Sequence, residues 1–320
     1  MTATDDLGWW IVGWDEWTDL GLIRARLAAG ADPDSGVRLF DKPLHVAAER
    51  GSPEVVAELA ARVDDVDAEH RGRTALWTAV FEGRTDNARA LVAAGADPWR
   101  HMMNGWSPGR LSLAGPNPDL FPVPPSEISL STAEATAAAE AKRLIPALGD
   151  FHYEGLSLAC VAGVSAAEAT ARLEATPADD VDVDALYEAW YNVPDAEWIV
   201  GITDVPGGCA ITQPWGYVAY TPGLGRLVST GTVCYSMHSN AKGGIFGHIA
   251  RDGEVMAWEP DSAFMVPTDA PAEEILAAYL YRDRCPAYCC AGAGLRLADA
   301  RPITGPPGAW LRLPERDFWA

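Results

Sequence analysis

Apolar residues in the first third of the chain recur at the spacing of short amphipathic helices. Because residues three and four positions apart lie on one face of a helix, each group predicts a helix that packs through that face. Two such groups are Val55, Val56 and Leu59, and Ala88, Leu91 and Val92.

A short string recurs in phase with these helices. Gly30-Ala31-Asp32-Pro33 returns as Gly95-Ala96-Asp97-Pro98, and Lys42-Pro43-Leu44-His45 lies between them. Pro43, Ala75 and Pro108 take the same place in successive units, with a period of about 33 residues. Self-similarity at a fixed period predicts stacked units rather than one closed core.

These residues resemble the ankyrin repeat, a two-helix unit with a Thr-Pro-Leu-His-like start, a Gly between its helices and a terminal Gly-Ala-Asp. Gly51 and Gly83 take the position between the helices. Lys42 stands where the family prefers Thr and Trp77 where it prefers His, which puts the motif's hydrogen bonds at these positions in question. The resemblance covers about residues 7–115 and implies a helical solenoid that recognises protein partners.

The first unit lacks this motif and carries four tryptophans. An atypical terminal helix is typical of a capping repeat, so residues 1–115 are predicted to form a repeat domain with a Trp-rich N-terminal cap. Burial under the next domain is the expected use of these rings, and a docking surface is the alternative. The four residues are Trp9, Trp10, Trp14 and Trp17.

The resemblance also implies where a partner binds, since such a stack exposes its turn tips along one edge. Aromatic, Met and Arg side chains are enriched at the energetic centres of interfaces. Solvated turns are the alternative interpretation of the charged members. The predicted partner-binding residues are Phe40, Asp41, Lys42, Arg71, Arg73, Met102, Met103 and Trp106.

Prolines interrupt the helical pattern over residues 116–130, because Pro lacks an amide N–H and disfavours helix before it. This segment is predicted to link the repeats to an α+β domain over residues 131–320 with a mostly antiparallel sheet. Predicted strands include 156–161, 232–238 and a hairpin that turns at Asp252-Gly253. The second half also resembles a poorly characterised bacterial α+β domain family, which implies no activity for particular residues.

The richest chemical pattern lies on the predicted strand 232–238. Side chains alternate along a strand, so Cys234, Ser236 and His238 share one face. Such a face can place a nucleophile beside a base, which predicts a catalytic group of His238, Cys234 and Glu259 if the protein is an enzyme. The alternative is that Cys234 and Ser236 are small core residues and that His238 is partly solvated.

A small-molecule pocket is a further candidate site, because aromatic rings with a few polar groups line such sites. Core packing is the alternative explanation of the same rings. No metal or other cofactor is predicted, since the adjacent Cys289-Cys290 cannot easily aim both sulfurs at one ion. The predicted pocket residues are Trp215, Tyr217, Tyr220, His248 and Trp258.

Composition and charge narrow the classes of partner. The chain has 320 residues and a formal net charge of -21, which opposes binding to nucleic acid or to an anionic membrane. The N-terminal residues lack the pattern of a secretory signal, and the six Cys show no disulfide spacing. A cytoplasmic location is therefore predicted.

Together these patterns predict a binding protein whose repeats recognise a protein partner or its own second domain. The alternative is a small-molecule enzyme, such as an isomerase, cyclase or hydrolase, with its pocket in the α+β domain.

Overall fold

The computed structural model describes residues 8–37, 42–123, 128–188, 190–240, 242, 244–258 and 266–320. The chain forms two compact units. The first consists of Met1–Ala138 and Val266–Leu280, and the second of Ala139–Met265 and Tyr281–Ala320. These limits differ from the predicted division at residues 115 and 131, because residues up to 138 and the distant segment 266–280 pack with the repeats.

The secondary-structure elements are named in chain order. The helices are α1 (Leu20–Ala28), α2 (Pro43–Arg50), α3 (Pro53–Ala60), α4 (Ala75–Phe81), α5 (Thr85–Ala93), α6 (Pro108–Ala114), α7 (Thr132–Leu148), α8 (Ala166–Arg172), α9 (Val183–Glu188), α10 (Pro222–Val228), α11 (Ala272–Leu280), α12 (Cys285–Gly292) and α13 (Arg301–Thr304). The strands are β1 (Ser157–Ala162), β2 (Thr176–Pro177), β3 (Ile199–Val205), β4 (Gly208–Gln213), β5 (Val233–Asn240), β6 (Gly244–Arg251), β7 (Glu254–Trp258) and β8 (Ala309–Arg312).

Side-chain caps start most helices of the repeats. Ser52, Thr74 and Ser107 each accept a hydrogen bond from the backbone N–H three residues on, at 3.4, 3.1 and 3.1 Å. These bonds satisfy amide groups that have no partner inside the helix. Lys42, at the start of α2, makes no such bond. The replacement of Thr by Lys at this position therefore removes one cap.

The repeats stack as two layers of helices. The first helices of successive units, α2, α4 and α6, contact one another in order and form the inner layer. The second helices, α1, α3 and α5, also contact one another in order and form the other layer. Leu59, Leu76 and Leu91 are fully buried between the layers. Because one helix pair cannot bury its apolar face alone, each repeat depends on its neighbours for stability.

The repeated Gly-Ala-Asp string has a geometric cause. Gly30 and Gly95 adopt φ values of +95° and +104°, a region that favours glycine. Carboxylates in the turns then join neighbouring units. The backbone N–H of Asp64 donates to Oδ2 of Asp34 at 3.0 Å, and that of Asp97 donates to Oδ2 of Asp67 at 3.1 Å. The string thus ends α1 and α5, and carboxylates of the turns, Asp34 and Asp67, connect neighbouring units.

The tryptophans of the first unit separate into two pairs. Trp9 and Trp17 are buried in the core of the repeats, with ring centroids 5.9 Å apart. The indole Nε1 of Trp9 donates to the carbonyl oxygen of Asp32 at 2.7 Å. Trp10 and Trp14 are about half exposed. Two of the four rings therefore cap the stack, and the other two lie on the surface.

The second unit contains an eight-stranded antiparallel sheet in the order β2-β8-β3-β4-β1-β5-β6-β7. The predicted strands 156–161 and 232–238 correspond to β1 and β5. Asp252 and Gly253 form the turn between β6 and β7, with φ values of +51° and +79° that suit a two-residue hairpin. The predicted fold class, helical repeats followed by an α+β region, is confirmed.

The two faces of the sheet pack against different helices. One face, which includes Cys234, is covered by α8 and α10. On the other face α12 packs against β1 and β5, and Sγ of Cys290 lies 3.7 Å from Sγ of Cys160. Because side chains alternate along β1, the cysteines of α12 lie on the face opposite to Ser157 and its cross-strand partner His238.

Asn87 gives a test of the contact between repeats. It is buried on α5, and its Nδ2 donates to the carbonyl oxygens of Ala47, Ala48 and Gly51, at 3.2, 3.1 and 3.0 Å. We expect Asn87→Ala to lower the free energy of unfolding by about 1–3 kcal/mol, because buried acceptors at the end of α2 lose their donor. Urea unfolding followed by far-ultraviolet circular dichroism measures this change.

Asn117→Ala is the matched control for that experiment. Asn117 donates to the side chain of Thr85 in an exposed bond, so its loss should change stability by no more than about 0.5 kcal/mol. Equal effects of the two substitutions would contradict the role assigned to Asn87.

Candidate functional site

The first two predicted turn tips lie at the starts of α2 and α4. Lys42 immediately precedes α2 and is half-buried, and Phe40 and Asp41 lie outside the described residues. Arg71 is exposed, with φ +52°, in a tight turn closed by backbone hydrogen bonds between His70 and Arg73 at 2.8 and 3.1 Å. Arg71 thus lies at the surface, and Lys42 is partly accessible.

The third tip differs from the prediction. Met102 is half-buried, but Met103 and Trp106 are only 4% and 0% exposed. The guanidinium carbon of Arg110 lies 4.4 Å from the centre of the Trp106 ring. The expectation that Met103 and Trp106 are exposed at a tip is therefore wrong, because other parts of the first unit cover them.

The cover is a distant segment of the same chain, residues 266–280, which we call the returning segment. Arg73 Nη2 donates to the carbonyl oxygen of Val266 at 2.6 Å, and Trp106 Nε1 donates to that of Ala272 at 2.9 Å. Asn104 Nδ2 donates to the carbonyl oxygen of Ala270 between them. Three side chains of the repeats therefore hold the backbone of the returning segment.

Helix α11 of the returning segment lies against the inner layer. It contacts α6, and its residues Ile275 and Leu276 are buried in the core of the repeats. The ring of Tyr279 lies 5.9 Å from that of Phe81, the last residue of α4. A Cβ atom at Gly115 would overlap the hydroxyl of Tyr279. The glycine after α6 thus makes room for a ring from residue 279.

The charge of Arg73 supports this arrangement. Burial lowers the pKa of its guanidinium from the ordinary value, and the charge of Glu82 opposes the shift. Because arginine stays protonated in proteins at neutral pH, Arg73 is a half-buried cation that donates to a carbonyl oxygen. Hydrogen bonds from charged donors are stronger than those from neutral ones, so Arg73 anchors the start of the returning segment.

The second unit brings several predicted catalytic and pocket residues together around His238. Ser157 is its cross-strand neighbour, with Oγ 2.9 Å from Nδ1 of His238. The hydroxyl of Ser157 donates to the carbonyl oxygen of Gly216, so Nδ1 of His238 is the donor to Ser157. The ring of Tyr217 lies 4.3 Å from that of His238. We call these residues, with Tyr220, Ser236 and His248, the histidine cluster.

His248 lies beside Ser236 on the neighbouring strand. The hydroxyl of Ser236 donates to the carbonyl oxygen of His248 at 3.2 Å. The ring of Tyr220 lies 4.8 Å from that of His248 and 6.1 Å from that of His238. Nε2 of His248 is buried and has no hydrogen-bond partner among the described residues. Tyr220 thus joins two buried imidazoles.

Both imidazoles are neutral at neutral pH. Burial lowers the pKa of His238 to about 4, with a backbone hydrogen bond to Gly216 opposing the shift. Burial likewise lowers the pKa of His248 to about 4, against a backbone hydrogen bond to Thr221. A low dielectric surrounding disfavours the charged form of histidine. The cluster therefore offers neutral nitrogen atoms rather than cations.

Cys234 does not join this cluster, although it shares a face with His238. Four residues along a strand separate their side chains by about 13 Å. Cys234 is fully buried among apolar residues, and this burial raises the pKa of its thiol well above the usual range. The predicted pair of a Cys234 nucleophile and a His238 base is therefore not formed, and Glu259 lies outside the described residues.

The predicted pocket is divided in a similar way. Tyr217, Tyr220 and His248 meet at the cluster, whereas Trp215 is 41% exposed and covers Gly155. The side chain of Trp258 lies outside the described part of the structure. Within the described part, no group of three or more His, Cys, Asp or Glu side chains is arranged to hold a metal ion.

Comparison with protein families locates the repeats. Residues 19–102 match the family model described as ankyrin repeats in three copies. This match covers α1–α5, whose helix pairs stack in two layers. The N-terminal region consists of ankyrin repeats. A comparison with curated proteins found no match.

The ankyrin repeats support protein binding as a general function. Among the described residues, no helix has both the length and the apolar character needed to cross a membrane. Neither finding identifies the partner.

Two residues of these sites do not stand out in the sequence. Asn104-Gly105 follows the last matched ankyrin copy and adopts φ values of +46° and +78°, and this residue pair is a general turn signal that could have located the third tip. Ser157 gains its role only from the pairing of β1 with β5. Nothing in the sequence places residues 266–280 against the ankyrin repeats.

The histidine cluster predicts how stability changes with pH. An unfolded histidine has a pKa of about 6.5, so the unfolded state binds more protons than the folded state below that value. Stability should fall as the pH drops from about 6.5 towards 4, by up to about 3 kcal/mol for each imidazole. Urea unfolding at a series of pH values between about 7.5 and about 4.5 measures this loss of stability.

His248→Phe should reduce the pH dependence of that free energy, because one buried titrating group is removed. His152→Asn is the control, since it replaces a largely exposed imidazole and leaves the histidine cluster intact. If the free energy of unfolding depends on pH equally in the wild type and in His248→Phe, His248 does not contribute to that dependence.

Proposed function

We propose that this protein is an intracellular binding protein whose ankyrin repeats have two tasks. Arg73 at the second tip, the third tip and the inner layer hold the returning segment, which the sequence-based division places in the second domain. Lys42 and Arg71, at the first two tips, bind a separate protein partner. This proposal combines the two modes of recognition that the sequence left open.

The three hydrogen bonds to the returning segment are the main support. Arg73, Asn104 and Trp106 all donate to carbonyl oxygens of its backbone. Donation from side chains to main-chain carbonyls is a means of binding a peptide segment with little dependence on its side chains. The tip residues thus already act as peptide-binding groups, within a single chain.

Exposure supports the assignment of the first two tips. Arg71 is exposed and Lys42 is half-buried, whereas Met103 and Trp106 are covered. Positive side chains on a chain with a formal net charge of -21 would orient a partner that carries carboxylates at the contact. All six cysteines are buried thiols, which supports action in a reducing compartment.

A small-molecule reaction is the second candidate function. The contact between Ser157 and the neutral ring of His238 favours it, because a neutral imidazole can accept a proton from a substrate. Its burial means that a substrate must approach past Tyr217, which is 49% exposed. Once a substrate is found, His238→Gln should abolish turnover, and full turnover would dismiss this candidate.

The proposed hold on the returning segment predicts its dynamics. Arg73→Met should speed amide hydrogen exchange in α11 by about tenfold, because the loss of one charge-assisted bond weakens the contact by about 1.5 kcal/mol or more. Mass spectrometry of deuterium uptake in the full chain measures the change. Arg71→Met is the control with the same change in side-chain type, and equal exchange in both variants would contradict the assignment.

The first two tips are tested with a partner. For a protein partner recovered with the full chain, Lys42→Glu with Arg71→Glu should weaken binding by about tenfold or more, as measured by calorimetry. His152→Asn in the second unit should leave the affinity unchanged. Unchanged affinity in the double variant would remove these tips from the interface.

A further inference from the structure

The surface of the second unit carries three exposed aromatic rings close together in the chain. Tyr187 in α9 and Trp190 and Tyr191 just after it are 43%, 39% and 74% exposed. We call these three residues the aromatic patch. Monomeric proteins seldom leave such large rings grouped at the surface unless something covers them.

The aromatic patch stands on a packed base. Leu186, Ala196 and Ile199 beneath it are nearly fully buried and form one apolar cluster. Tyr187 also meets the ring of Trp310 edge-on, at 6.3 Å. The ring of Tyr187 is therefore held against packed structure, which lowers the ordering cost of binding there.

Carboxylates flank these rings along the chain. Seven acidic residues lie between positions 179 and 197, and all are exposed. The sequence has no Lys, Arg or His between Arg172 and Arg226. Arg312 approaches from β8 and pairs with Asp180 and Asp195 at 3.1 and 3.3 Å. The seven residues are Asp179, Asp180, Asp182, Asp184, Glu188, Asp195 and Glu197.

The combination of aromatic rings and carboxylates selects the chemistry of an occupant. The faces of Trp and Tyr rings attract cations, and the guanidinium of arginine both stacks on such rings and pairs with carboxylates. Nucleic acid would be repelled by these carboxylates. A second copy of a chain with a formal net charge of -21 would be repelled as well.

We propose that the aromatic patch and its flanking carboxylates bind an arginine-rich segment of a partner protein. Guanidinium groups of that segment stack on Trp190 and Tyr191 and pair with the nearby carboxylates. This interface lies on the second unit, so it is independent of the function proposed for the ankyrin repeats.

A synthetic peptide of alternating Arg and Gly tests the proposal, with the full chain as receptor. Fluorescence polarisation of the labelled peptide gives its dissociation constant at physiological ionic strength. We expect the Arg peptide to bind several-fold more tightly than the corresponding Lys peptide. We also expect Trp190→Ala with Tyr191→Ala to lower the affinity for the Arg peptide by about tenfold, since two ring contacts are lost.

Two control variants separate stacking from general attraction. Trp14→Ala removes an exposed ring from the first unit and should leave the affinity unchanged. Asp184→Asn with Glu188→Gln keeps the rings. This variant should bind both peptides with lower affinity, and its affinity should depend less on salt concentration.

Three results would overturn the proposal. The first is no binding of the Arg peptide at physiological ionic strength. The second is equal binding of the Arg and Lys peptides that the loss of Trp190 and Tyr191 does not change, which would indicate only a diffuse negative field. The third is self-association of the chain, seen by sedimentation, that the same double variant abolishes, because the patch would then bind a second copy.

Discussion

The stability of the first unit depends on covering the inner face of its last helix. A repeat buries its apolar surface only against a neighbour, so the end of a stack has an uncovered side. Here α11 lies against α6 and brings Ile275 and Leu276 into the core of the repeats. Its contact closes the ankyrin stack with a helix from more than a hundred residues away in the chain, roughly as a terminal capping repeat would.

This closure also decides which tip residues are covered. The second tip, through Arg73, and the third tip, through Asn104 and Trp106, hold the backbone of the returning segment. The first two tips keep an exposed Arg71. The turn that contains Arg71 and Arg73 therefore has one side chain at the surface and one that holds the returning segment.

The sheet of the second unit imposes a different constraint. Its register places Ser157 beside His238 and Ser236 beside His248, and Tyr217 and Tyr220 cover the rings. Burial then keeps both imidazoles neutral. Low pH rather than high pH therefore destabilises this unit. The aromatic patch lies at the other end of the sheet order, beside β8, where three rings stay at the surface among carboxylates.

The sequence by itself determined the features that depend on local spacing. The repeated Gly-Ala-Asp string and the period that relates Pro43, Ala75 and Pro108 correctly predict the stacked helix pairs. The alternation along 232–238 correctly predicts the shared face of Cys234, Ser236 and His238. Only the tertiary structure decided which groups meet. Burial of Trp106, the separation of Cys234 from His238 and the partnership with Ser157 depend on contacts between distant segments, because strand register and the docking of α11 arise from packing that no local pattern records.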